Sequence, residues 1–244
     1  MDFADIRLLH GDQGQGKSVT SVALPVDDYY ANMNAVVSPA GEIINARALN
    51  EEEQDELEYR GVAYDQFKHI RIYSGVGSES KLISLPSNFT VRSPVKVFAN
   101  FMLYGIRFVP INGARIIEYI NDDVLFRDAW VLLDESVDVD RHDTMTKEGK
   151  MTGKFGAQVA KRDLHLVINS QYLHMIQGRY TLFATTRVLC AYDTDTKIVT
   201  LDVNQNSPMM QSVDYYAPPY FRFYKRGEVI KVSQTKIDKI LTEA

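Results

Sequence analysis

The chain has 244 residues, which suits one α/β domain with embellishments and a substantial core. Hydrophobic residues make up 45% and charged residues 24%, the balance of an ordinary globular protein, and a net charge of -5 excludes a global nucleic-acid footprint. One cysteine, Cys190, excludes an intramolecular disulfide and a cysteine-rich zinc site. It lies in the apolar run Val188-Leu189-Cys190-Ala191, where a buried, unreactive thiol is expected.

The N-terminus, Met1 to Asp5, is acidic and leads directly into an apolar run, so no signal peptide is expected. No apolar stretch approaches the ~20 residues of a membrane span. The expected setting is a cytoplasm, or a particle assembled there. Ile6-Arg7-Leu8-Leu9 reads as a first strand. Gly11-Asp12-Gln13-Gly14-Gln15-Gly16-Lys17-Ser18 follows and fits G-x-x-x-x-G-K-[ST], the Walker A phosphate loop. Glycines let successive N–H groups turn inward onto phosphate oxygens. Lys17 reaches the β/γ-phosphates, the Ser18 hydroxyl ligates Mg²⁺, and the run Ser18-Val19 to Leu24 opens a helix whose N-terminus faces the phosphates. ATP and Mg²⁺ are the expected cofactors.

Pro25 and Asp27-Asp28 predict a break after this helix, and Ala35 to Ser38 reads as a short strand. The acidic run around Glu51, Glu52 and Glu53 reads as a solvated helical face. Ile70 to Tyr73 alternates like a strand, and residues 75 to 88 read as an exposed loop. Residues 95 to 111 are expected at one sheet edge, and Ala114 to Phe126 carries helical spacing.

Ala129-Trp130-Val131-Leu132-Leu133 is a buried-strand pattern that delivers Asp134-Glu135 at its carboxyl end, the Walker B arrangement. Asp134 is placed to hold Mg²⁺ with Ser18, and Glu135 to activate the attacking water. Residues 141 to 162 are basic. Lys147, Lys150 and Lys154 sit in their aperiodic middle, a loop suited to phosphate-backbone contact without base readout. Leu164 to Ile168 is a further buried strand ending in Asn169-Ser170-Gln171, where a polar side chain is placed to sense the γ-phosphate or to orient water. His165 within it reads as a packed histidine. Beyond residue 192 the alternation predicts a peripheral β extension closed by a terminal helix. There Tyr215, Tyr216, Tyr220 and Tyr224 flank Pro218-Pro219 and read as core or subunit interface more than as a base-stacking platform. No linker divides the sequence. The expectation is a single P-loop domain over 1–244, with its core at about 5–192 and the extension at 193–244.

Taken in order, these segments resemble the FtsK/HerA superfamily of DNA-pumping ATPases. Leu164 to Gln171 looks like that family's strand ending in a Thr-Gln or Ser-Gln pair, which implies Gln171 as the catalytic polar residue, and Thr185-Thr186-Arg187-Val188 looks like its later Pro-Thr-Arg-Ile segment. The resemblance implies a RecA/FtsK-like α/β fold: a mainly parallel central sheet flanked by helices. It points to the genome-packaging ATPases of tailless, membrane-containing icosahedral viruses. These are motors that move DNA into a preformed capsid as rings, usually hexameric, docked on capsid or membrane vertex proteins. It implies double-stranded DNA bound without sequence preference, and an arginine finger from a neighbouring subunit. Arg141, Arg162, Arg179 and Arg187 are the candidates, with Arg162 favoured as lying on a subunit face. A second resemblance is to the zonula occludens toxin family of filamentous phages, morphogenesis ATPases that act in extruding the particle through the host envelope.

Overall fold

The computed structural model describes residues 5–73, 80–111, 127–134, 158–173, 176, 178–205 and 210–229. The chain divides into two compact units: Met1–Leu24, Lys96–Tyr104 and Phe108–Ala244 form the first, Pro25–Val95 and Gly105–Arg107 the second.

The first unit is built on an eight-stranded sheet. In spatial order it runs β14 (Gln211–Tyr216), β13 (Ile198–Asn204), β12 (Thr186–Tyr192), β1 (Asp5–His10), β11 (Leu164–Ser170), β10 (Ala129–Leu133), β7 (Lys96–Ala99) and β9 (Val109–Pro110). The six strands from β12 to β9 are parallel; β13 and β14 continue the sheet antiparallel. All five residues of β10 are buried, as are six of the seven in β11, the signature of parallel strands covered on both faces. The register Asp5↔His165 through His10↔Ser170 brings the carboxyl ends of β1 and β11 to one edge. β11 thus lies between the strand that leads into the phosphate loop and the strand that ends at Asp134. Residues 95 to 111 do form the sheet edge, through β7 and β9. The extension is less peripheral than its sequence suggests, because β13 and β14 carry on the central sheet itself. A short antiparallel pair, β8 (Phe101–Leu103) with β15 (Tyr224–Val229), completes the strands of this unit among the described residues.

α1 (Lys17–Ala31) continues past Pro25, where a break is predicted. Proline inside a helix costs about 3 kcal/mol, and each large apolar side chain buried returns about 1.5–3 kcal/mol. Val26 is 0%, Tyr29 1% and Tyr30 7% exposed, so the turn beyond Pro25 is held by burial. The Tyr29 hydroxyl donates to the Val91 carbonyl at 3.1 Å, and Tyr30 meets Phe67 edge-on.

The second unit is an antiparallel sheet in the order β5 (Ser80–Ser84), β4 (His69–Tyr73), β3 (Ile43–Ala48), β2 (Ala35–Val37), β6 (Thr90–Arg92), with α2 (Glu51–Tyr59) between β3 and β4. β3 was not evident in the sequence, and β5 lies where an exposed loop is predicted. The acidic helix is present, but Glu53 is not a solvated charge. It completes a capping box with Asn50 and takes a two-pronged contact from Arg47, at 2.7 Å to each oxygen. Arg71 adds a third contact at 2.9 Å. The Arg47 hydrogen bonds hold the Glu53 carboxyl down to about 2, from an ordinary 4.5. The folded-state value is the lower one, so this stabilisation is complete above about pH 4.5 and is lost as pH falls towards 2. Glu53→Gln is expected to lower the thermal midpoint of the full chain at pH 7, the gap to wild type closing between pH 4.5 and 2. A constant gap over that range would show that Glu53 does not titrate with folding.

Candidate nucleotide site

The phosphate loop sits at the carboxyl edge of the sheet, between β1 and α1, and two of its glycines are required sterically. Gly11 has φ +138° and Gly16 φ +87°. A Cβ on Gly11 would lie 2.8 Å from the Cys190 carbonyl oxygen, and one on Gly16 2.9 Å from Val199 Cγ2. The loop is therefore packed tightly against β12 and β13. Gln15 Oε1 accepts from the Tyr192 N–H at 3.0 Å, and Thr20 on α1 shares a 2.9 Å hydrogen bond with the Tyr215 hydroxyl. Val19, Val199 and Ala217 form a small core there, with Tyr192, Leu201, Tyr215, Tyr220 and Tyr224 packed against it. The tyrosine cluster thus buttresses the loop, except Tyr216, which is exposed. Asp12, Gln13 and Gly14 form the exposed tip.

Lys17 is 8% exposed, and its ammonium donates to the carbonyls of Gly11 at 2.6 Å and Asp12 at 2.8 Å. His10, the last residue of β1, is held below its usual pKa by burial first and then by Arg187 and Lys17, so its imidazole is neutral at pH 7. Burial also pushes the Cys190 thiol up to about 11, which makes it the unreactive core residue expected.

Ser18 donates to Asp134 Oδ2 at 3.1 Å, joining the two motifs that lie far apart in sequence. Asp134 is held from two further directions. The Asn100 side chain clamps its backbone, accepting from its N–H at 2.8 Å and donating to its carbonyl at 3.0 Å. Asn169, at the buried end of β11, donates from Nδ2 to Asp134 Oδ1 at 2.9 Å and to Ser21 Oγ at 3.1 Å. A carboxylate only accepts, so the amide nitrogen must face it. That leaves Asn169 Oδ1 as a buried acceptor with no donor among the described residues. An orphan acceptor beside a hydroxyl and a carboxylate suits hydrated Mg²⁺, which keeps several waters as donors and takes only one or two carboxylates. The residues present therefore fit the metal.

Asn169 and Asn100 are the residues that sequence reasoning did not single out. Asn169 was within the polar strand end, but choosing it over Gln171 needed the side-chain direction. Gln171 is exposed, one residue past β11. Asn169→Ala is expected to weaken Mg²⁺-dependent nucleotide binding by roughly 10–100-fold, as loss of a ligand-orienting neighbour does elsewhere. Unchanged affinity with unchanged Mg²⁺ dependence would reduce Asn169 to a packing residue.

The other predicted residues are placed less centrally. Arg162 is 7% exposed, in a 3-10 turn (Ala160–Arg162) before β11, so it is not on an open face and lies at the sheet edge opposite the loop. Arg187 is exposed on β12, and Arg179 lies within α3 (Gly178–Phe183). Glu135, Arg141, Lys147, Lys150, Lys154 and the helical pattern at 114–126 lie outside the described residues, as does the expected terminal helix. Among the described residues no helix is long and apolar enough to cross a membrane.

No protein-family model matches the sequence, and no curated protein sequence matches it. Solved structures are similar in fold. The N-terminal domain of zonular occludens toxin from Neisseria meningitidis superposes with a TM-score of 0.53 at 12% identity, covering 92% of this chain and 100% of that one. The genome-packaging NTPase of Sulfolobus turreted icosahedral virus 2, in complex with ATP-gammaS, gives 0.43 at 8% identity over 87% of this chain and 98% of that one. A KaiC-like protein from Pyrococcus horikoshii gives 0.42 at 8% identity, over 90% of this chain and 88% of that one. The chain thus shares the fold of the zonular occludens toxin domain: a mainly parallel sheet flanked by helices, with a P-loop between β1 and α1.

Proposed function

We propose that the chain is an Mg²⁺-dependent ATPase that drives phage morphogenesis, in the manner of the zonula occludens toxin family. The observation that carries the ATPase reading is the junction of Ser18, Asp134 and Asn169 beside Lys17. Lys17 and the loop amides of Gly11 to Val19 hold the phosphates, and Ser18 with Asp134 holds the metal. The metal, when bound, neutralises charge on the terminal phosphates. Glu135, following Asp134, takes the proton of the attacking water, and Gln171, one residue past β11, senses the γ-phosphate. Of the candidate fingers, Arg187 has an exposed side chain with which to reach a neighbouring subunit of a ring. The likeness to the toxin domain, which spans the whole of that domain, supports this process. Such a motor acts in the host, at the envelope, on partners that supply the anchor.

The basic segment from Arg141 to Arg162 favours a second reading, genome packaging: a hexameric ring at a virion vertex, with Lys147, Lys150 and Lys154 on double-stranded DNA. The two readings part on one experiment. ATP turnover of the full chain is measured with and without long double-stranded DNA, at low and moderate salt. Turnover indifferent to DNA supports extrusion. Stimulation that fades with salt, and is lost when the three lysines are changed to Ala, replaces it with packaging. Absence of Mg²⁺-dependent turnover in every condition would sink both.

A further inference from the structure

The direction in which a nucleotide lies across the loop follows from where its metal end must be. Ser18 and Asp134 are on the β10–β11 side, so the terminal phosphates belong there. The base then extends the other way, over β12 and β13. On that side Tyr192, the last residue of β12, abuts the loop: its N–H is held by Gln15, and a Cβ on Gly16 would lie 3.5 Å from Tyr192 Cβ. Phe221, from the 3-10 segment Pro218–Phe223, meets the Tyr192 ring at 6.2 Å between centroids and 83° between planes. Phe221 is 40% exposed, while Val199 and Ala217, on which Tyr192 packs, are fully buried. An open aromatic against a ring packed on a closed apolar core, beside a phosphate loop, is a stacking surface.

We propose that Tyr192 and Phe221 form the nucleobase platform of this site, an inference that rests on the nucleotide reading above. The neighbouring turn between β12 and β13 offers little for reading a base edge. Asp193 accepts from the Asp195 N–H at 2.8 Å and from the Thr196 hydroxyl at 2.9 Å, and Lys197 donates to the Thr194 carbonyl. Among the described residues recognition is therefore by stacking, which every purine satisfies, and ATP and GTP are expected to bind alike.

The test is calorimetric binding of Mg-ATP, Mg-GTP and Mg-tripolyphosphate, the last having no base, to the full chain. Phe221→Ala is expected to weaken ATP and GTP by roughly tenfold and to leave tripolyphosphate unchanged, with Phe221→Tyr restoring affinity. Phe221→Leu keeps apolar volume without a π face and should behave as Ala does, which guards against a loosened extension. Equal losses for ATP and tripolyphosphate, no loss for ATP, or strong preference between ATP and GTP would each overturn the platform. Tripolyphosphate bound as tightly as ATP, and lost in Lys17→Ala, would overturn the platform while leaving the phosphate site standing. If wild type binds neither, the nucleotide reading fails and the platform with it.

Discussion

Lys17→Ala is expected to abolish measurable ATP binding and to lower turnover by about 10²–10³-fold, the scale of losing a preorganised donor at a charge-developing centre. The ammonium carries three donors, and two are engaged by the Gly11 and Asp12 carbonyls. Those bonds hold the ammonium against the loop backbone and leave its third donor for a phosphate oxygen. A charge this little exposed, 8%, is held by dipoles of the loop, which gives it more effect on a phosphate than a surface lysine would have. The fold should survive the change, because Gly11 is half-buried and Asp12 exposed, so water can replace the lost donors. Lys17→Arg keeps the charge but replaces a compact ammonium by a planar fork that cannot sit between the same two carbonyls. It should bind weakly and turn over poorly. Wild-type affinity in Lys17→Ala, with an unchanged thermal midpoint, would remove the loop from the mechanism.

Asp134→Asn is expected to cost roughly 10³-fold in Mg²⁺-dependent turnover, since a metal's charge stabilisation amounts to several kcal/mol of barrier. The substitution preserves size and the Asn100 clamp on the backbone, which uses only main-chain atoms of residue 134. What changes is the acceptor pair. Oδ1 faces the Asn169 amide nitrogen at 2.9 Å and Oδ2 the Ser18 hydroxyl at 3.1 Å. A carboxamide brings a donor to one of these, so a donor meets a donor or Ser18 must turn. The measurement is a Mg²⁺ titration of ATP binding and turnover. Binding without Mg²⁺ should be nearly unchanged, while the tightening on adding Mg²⁺ should vanish. A variant whose Mg²⁺ dependence matches wild type would place the metal elsewhere.

How much of this was legible in the sequence depends on whether a feature is local. Gly11 to Ser18 is a contiguous backbone device, with its glycines at positions where φ is positive, so its spacing alone identified it. The buried runs of β10 and β11 announced themselves because both faces are covered. β3 and β5 did not. Their burial is partial, and their side chains alternate too weakly to rise above turn-like composition. Pro25 was misread because helix propensity is a local cost, and the burial of Tyr29 and Tyr30 that outweighs it is not local.

The sequence by itself determined the nucleotide motif, the acid at the end of its partner strand and the parallel α/β class. Each follows from a short pattern that obliges the backbone to one geometry. Tertiary structure alone decided that Asn169 rather than Gln171 faces Asp134, that Asn100 fixes that aspartate's backbone, and that Arg162 is buried away from the loop. It also decided that the C-terminal strands brace the phosphate loop through Val199, Tyr192 and Tyr215. These contacts join residues far apart in the chain. Which of several adjacent polar side chains meets a site is set by strand register and pleat, and one position along a strand turns a side chain to the opposite face.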